Sequence, residues 1–289
     1  MANVDFKPKL LTVELGMFLT IQFIALIVGT SFVKKGLVQQ MPTAQALPSF
    51  FIEFLIAMGI LIAAIYLLKT PKSFAFFFAF MMFIGTEIVF EAFLPSIIAI
   101  IIAIAIVVIR YVKPNVFTHN LAIFLTVAGI SAQLGTMLPV LAIIVILIAL
   151  SIYDYIAVFK TKTMVGMFKK MLERGAPFAI VVPESVEHFG EKIEKVSKEK
   201  LKQHEKKKPA KPKFMMLGTG DLAFPAVFAV SALAEYNWIA SVAIVAGAMA
   251  GIVVNHYFLT QKFRAIPALP AIATFSIIGF VMSQLPGWI

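Results

Sequence analysis

Apolar residues along this chain come in long unbroken runs rather than alternating with polar ones. Nine runs approach the roughly 20 residues needed to cross a hydrocarbon core. They cover about 10–33, 50–68, 74–92, 95–112, 118–137, 139–159, 215–235, 238–258 and 266–285. Hydrocarbon offers no partner to a free N–H or C=O, so each run is predicted to be a helix. Pro95 separates the third run from the fourth, and Pro139 the fifth from the sixth. The expected fold class is therefore all-α and polytopic. The expected organisation is a six-span part over 1–159, a basic loop over 160–213, and a three-span part over 214–289, packed as one body. No internal repeat is visible.

Composition agrees with a lipid solvent. The chain is 61% hydrophobic and its mean hydropathy is +0.95, more apolar surface than a soluble domain of 289 residues could hide. The net charge of +10 would suggest nucleic acid if it were spread over a surface. Residues 160–213 instead hold 15 Lys/Arg against 7 Asp/Glu, most of the excess. That places the charge in one loop beside anionic lipid, with no nucleic-acid partner expected. Lys7, Lys9, Lys69, Lys72, Arg110, Lys113, Lys262 and Arg264 fall on the same side as this loop in a nine-span topology. Lys34 and Lys35 are the exception. The positive-inside rule puts the N-terminus and the loop in the cytoplasm and the C-terminus, with Trp288 as an interfacial anchor, outside. The N-terminal residues do not read as a cleavable signal peptide. Within the loop, 164–174 reads as a short amphipathic surface helix, and 190–213 as disordered or a solvated helix.

The chain has no cysteine, which excludes thiol chemistry and cysteine-ligated metals. His119, His188, His204 and His256 are scattered, with no HExxH pair, so no metal site is expected. Carboxylates inside spans remain. Glu14, Glu53 and Glu235 lie near span ends and read as acids reaching interfacial water. Glu87 and Glu91 share a helix face and read as structural or interfacial. Asp154 and Asp221 are different, because Asp is too short to snorkel far. Asp154 lies six residues before Lys160, and Asp221 eight after Lys213, so both sit about 9–12 Å below one charged boundary on consecutive helices. Two carboxylates held together in a low-dielectric site share one proton. The ionised one can activate water, and the protonated one can polarise a peptide carbonyl. Gly218 and Gly220 loosen the chain before Asp221. Pro267 and Pro270 are expected to hold Ala268 and Leu269 in an extended segment, with amides free to pair with an unwound substrate strand. Gly247 and Gly251 read as a close helix–helix contact.

Three segments together resemble the presenilin and signal-peptide-peptidase family of GxGD intramembrane aspartyl proteases. They are Ser151-Ile152-Tyr153-Asp154, Leu217-Gly218-Thr219-Gly220-Asp221 and Pro267-Ala268-Leu269-Pro270, in the family's order and spacing. The stretch Met164–Pro177, ending Glu173-Arg174-Gly175-Ala176-Pro177, is also presenilin-like. The resemblance runs from about residue 145 to the end, whereas the first five spans match in number and hydropathy alone. It implies nine helices of presenilin type and an aspartic endopeptidase with Asp154 and Asp221 as the catalytic pair. It also implies Tyr153 as a supporting residue. Leu217, Gly218, Gly220, Pro267, Ala268, Leu269 and Pro270 would then border the substrate. Transmembrane proteins would be the substrates, with no cofactor and no obligatory partner. The loop is short and lysine-rich, with no identifiable apolar segment for self-cleavage. A proton- or cation-coupled transporter or channel is the alternative reading of membrane carboxylates. A prepilin-type peptidase shares GxGD but not the nine-span order or PALP.

Overall fold

The computed structural model describes residues 8–67, 71–160, 179–183, 186–193, 214–262 and 267–285. Among these residues the nine expected helices are present: α1 (Pro8–Lys34), α2 (Thr43–Leu67), α3 (Pro71–Glu91), α4 (Ser96–Val112), α5 (Val116–Met137), α6 (Val140–Phe159), α7 (Thr219–Glu235), α8 (Trp238–Lys262) and α9 (Leu269–Ser283). Five are long and apolar enough to cross a membrane: α1, α2, α5, α6 and α8. α4 and α9 are shorter apolar helices. The expected helix 164–174, residues 194–213 and Trp288 lie outside the described residues.

Two corrections concern the long loop and the end that follows it. Residues 214–218 do not begin a span. They form a strand, β2 (Phe214–Gly218), paired antiparallel with β1 (Ala179–Pro183). Residues 190–193, expected to be disordered or a solvated helix, end a 3₁₀ turn, Val186–Gly190, and dock on the α4–α5 corner. There Val116 N–H donates to the Glu191 carbonyl at 2.9 Å, and Ile193 N–H to the Pro114 carbonyl at 3.1 Å. A small sheet thus sits inside an otherwise helical protein.

α5 is the centre of the bundle. It packs against α1, α3, α7 and β1, and much of its length is buried, polar groups included. Protein rather than lipid surrounds it, so Thr118, His119, Asn120, Thr126, Ser131 and Thr136 are tolerated there, each with a hydrogen-bond partner. Outward faces of α2 and α4 carry exposed Ile52, Leu55, Ile56, Ile97, Ile101 and Val112, as a lipid-facing surface should.

Glycines set the closest crossings. A Cβ on Gly251 would lie 2.6 Å from Ile272 Cα, and one on Gly247 would collide with the Phe275 carbonyl. The expected GxxxG contact is therefore the α8–α9 interface. Gly279 makes the reciprocal approach to the Ala243 carbonyl. Gly247→Val should force α8 and α9 apart at a cost of roughly 1–3 kcal/mol. Thermal unfolding in detergent should show a lowered midpoint.

Candidate active site

Asp221 occupies the third residue of α7. Gly218 ends β2 and is the N-cap, with extended backbone angles of φ −63° and ψ 144° that any residue could adopt. Glycine at 218 leaves room for the acid: a Cβ there would sit 3.2 Å from Asp221 Oδ2, and the carboxyl would have to shift by a few tenths of an ångström. Gly220 is exposed, and a Cβ there would meet only the Phe224 ring at 3.9 Å. The surface beside Asp221 is therefore bare backbone. A first-turn carboxylate faces the unpaired N–H groups of the helix start, a favourable place for negative charge.

The first turn of α7 is pinned from two sides. Pro225 lies inside the helix and has no N–H to return to the Asp221 carbonyl. Gln22 of α1 donates to the Leu222 carbonyl at 3.1 Å, and Ser131 of α5 to the Ala223 carbonyl at 3.2 Å. The helix end bearing the acid is thus held by side chains rather than by its own ladder alone.

Asp154 projects from α6 and is buried, 6% exposed. Its carboxyl lies within electrostatic reach of the backbone N–H of Leu269 at the start of α9. Asp154 and Asp221 act on each other electrostatically, so the structure brings α6, α7 and α9 to one place. The expected extended PALP segment is corrected here. Ala268 has helical angles, φ −85° and ψ −34°, and α9 begins at Leu269 with Pro270 in its first turn. Proline costs nothing in a first turn, where its N–H would be unpaired anyway. The free amide of this helix start is left facing Asp154. Pro267, Ala268 and Leu269 are buried.

The remaining expected residues divide. Leu217 is buried in β2 and pairs with Ile180. Tyr153 is half-exposed, and its hydroxyl reaches Met58 Sδ of α2 at 3.8 Å, turned away from Asp154. Glu235 is exposed at the end of α7, as expected, whereas the interfacial reading of Glu14 is corrected. Glu235 accepts from the Val140 N–H at 2.7 Å and so caps α6 from α7. Glu14 is 2% exposed, bonds His256 Nδ1 of α8 at 2.8 Å, and acts electrostatically on Asp221. Its distance from the chain's first span boundary could have flagged it, but its partner could not be read from sequence. Glu53 is exposed, and Glu91 accepts from Ser96 Oγ at 3.1 Å.

The sheet has one open edge. Val181 of β1 gives both of its backbone bonds to the Asn120 side chain: its N–H donates to Oδ1 at 2.9 Å, and its C=O accepts from Nδ2 at 2.7 Å. The Ala179 carbonyl likewise meets His119 Nε2 at 3.0 Å. Ala179 and Val181 therefore face α5, while Ile180 and Val182 bond β2. By the alternation of an antiparallel ladder, Met216 and Gly218, opposite Val181 and Ala179, turn their N–H and C=O groups away from β1. Among the described residues the Met216 N–H and C=O and the Gly218 N–H have no partner, whereas the Gly218 C=O, at the N-cap, accepts the first bond of α7. The edge leads directly into Asp221.

Comparison with known proteins follows from this geometry. The family model described as "Signal-peptide peptidase, presenilin aspartyl protease" matches residues 15–287. Two solved structures of a presenilin family intramembrane aspartate protease, in C222 and P2 space groups, superimpose with a TM-score of 0.63 each, at 20% and 21% identity. Both alignments cover 93% of this chain and 94% of the other, a likeness of fold. No curated protein matches the chain. Over almost its whole length, then, this multi-pass membrane chain belongs to the signal-peptide peptidase and presenilin family, and it is an aspartic endopeptidase.

Proposed function

We propose that Asp154 and Asp221 are the catalytic pair, and that they hydrolyse peptide bonds within transmembrane segments of other membrane proteins. The observation that supports this is the packing of α6, α7 and α9 on one another, with the two carboxyls of α6 and α7 within electrostatic range of each other near the start of α9. The ionised acid takes a proton from water as the water attacks the scissile carbonyl. The protonated acid donates to the carbonyl oxygen, and the tetrahedral intermediate collapses when a proton reaches the leaving amine. The Leu269 N–H orients Asp154 for this exchange. Family membership displaces the transporter reading.

A helical substrate hides its carbonyls in its own hydrogen bonds and must unwind first. The unwound strand adds to the open edge of β2, pairs with the N–H and C=O of Met216 and the N–H of Gly218, and passes Gly220, where no side chain obstructs it. This assigns to β2 the role expected of 266–269. Leu217 and the PALP residues then act by building the walls around the strand. The lysine asymmetry supports a cytoplasmic N-terminus and 160–213 loop, with the C-terminus outside the cell membrane.

Purified protein should cut a transmembrane peptide, and Asp154→Asn or Asp221→Asn should each lower the rate by at least ~10³-fold. Full activity in either variant would refute the pairing. Leu269→Pro keeps a residue suited to the first position of α9 but deletes the N–H that faces Asp154. The expected outcome is a fall in kcat of at least about tenfold, read in the same assay. Met216→Pro deletes one outward donor of β2 without touching its ladder to β1. KM should rise by about tenfold. An unchanged KM would remove strand addition while leaving the Asp pair intact.

A further inference from the structure

The strand that does not meet substrate is held by unusual partners. Both outward backbone groups of Val181 end on one carboxamide, Asn120, itself 2% exposed. A carboxamide bonded this way occupies the place that a peptide group of a third strand would take. One residue earlier on α5, His119 is fully buried, and its Nε2 meets the Ala179 carbonyl. Its Nδ1 lies 3.4 Å from Arg110 Nη2 of α4. A guanidinium only donates, so Nδ1 accepts and Nε2 carries the hydrogen given to Ala179. Arg110, 4% exposed, lies against the Phe78 and Tyr111 rings, and Phe78 stacks on the His119 ring. Each member thereby fixes the next, from α4 through α5 to the sheet.

We propose that Arg110, His119 and Asn120 are positioning residues: they close the outer edge of β1 and set the register of the sheet, so that a substrate strand can add only at β2. This rests on the strand-addition reading above and extends it to regulation of where the cut falls. The register is specific. Moving β1 by two residues would bring Pro183 opposite Asn120, and proline has no N–H for Oδ1. Because β2 ends in the N-cap of α7, the register of β1 on α5 also fixes the level of Asp221 against any strand lying on β2. A strand set too high or too low presents a neighbouring peptide bond.

The experiment uses the full chain in lipid nanodiscs with a transmembrane peptide, and reads cut positions, kcat and KM. Asn120→Leu keeps the bulk of the side chain and removes both bonds. Val181→Pro deletes one of the same bonds from the strand side and spares the ladder to β2. Both should spread cleavage onto neighbouring bonds and raise KM about tenfold with kcat within about threefold, as expected when the competent sheet is less populated. Amide exchange over 179–183 should quicken, and the thermal midpoint should fall as the buried Val181 groups lose their partners. Unchanged cut positions and KM in a folded variant would overturn the proposal. If Asn120→Leu fails to fold, Val181→Pro decides. Loss of cleavage in Asp221→Asn and the response to Met216→Pro report separately on the parent reading, and would stand even if this one fell.

Discussion

Within a bilayer a backbone N–H or C=O without a partner costs several kcal/mol, and this penalty governs where the chain may leave the helical state. It does so at β1, at β2 with the start of α7, and at the PALP entry to α9. β1 is buried along its whole length, whereas β2 keeps one open edge. Gln22, Ser131, His119 and Asn120 supply the bonds that lipid could not. The polar character of α5 follows from the same rule. A helix at the centre of the bundle can carry amides and imidazoles, because its neighbours are backbone groups in need of partners.

Proteolysis requires just such exceptions. A membrane helix resists hydrolysis because its carbonyls are already bonded, so an enzyme acting on one must offer replacement bonds beside its acids. β2 ends three residues before Asp221, with unpaired groups along one edge. The two glycines of the GxGD segment serve different ends there. Gly218 makes room for the carboxylate of its own chain, and Gly220 leaves the approach uncovered.

The helix count and the two aspartates were legible because an apolar run has one outcome in lipid and an acid inside it is conspicuous. Six of the nine spans begin within three residues of where hydropathy places them, and α2 begins seven residues earlier, at Thr43. The remaining two, expected at 215 and 266, begin later, at Thr219 and Leu269, and both belong to the candidate site. Phe214-Met215-Met216-Leu217 is apolar whether strand or helix, so periodicity could not decide it. A signal for β1 was present in Ile180-Val181-Val182, a β-branched run within a basic loop, but the loop's charge masked it. PALP is ambiguous in sequence because proline both breaks a helix and fits its first turn. Glu14–His256 and Val140–Glu235 join residues distant in sequence, and no local pattern announces them.

The Glu14–His256 bond also ties the first helix to the eighth. α1 packs against α7 and α8 as well as α5, and α5 packs against α7. Segments from before and after the basic loop are thus interlaced, like fingers of two hands, rather than laid side by side. A nick in the connecting stretch would therefore leave both fragments clasped around the aspartates, their union depending on the grip of the bundle instead of on covalent continuity.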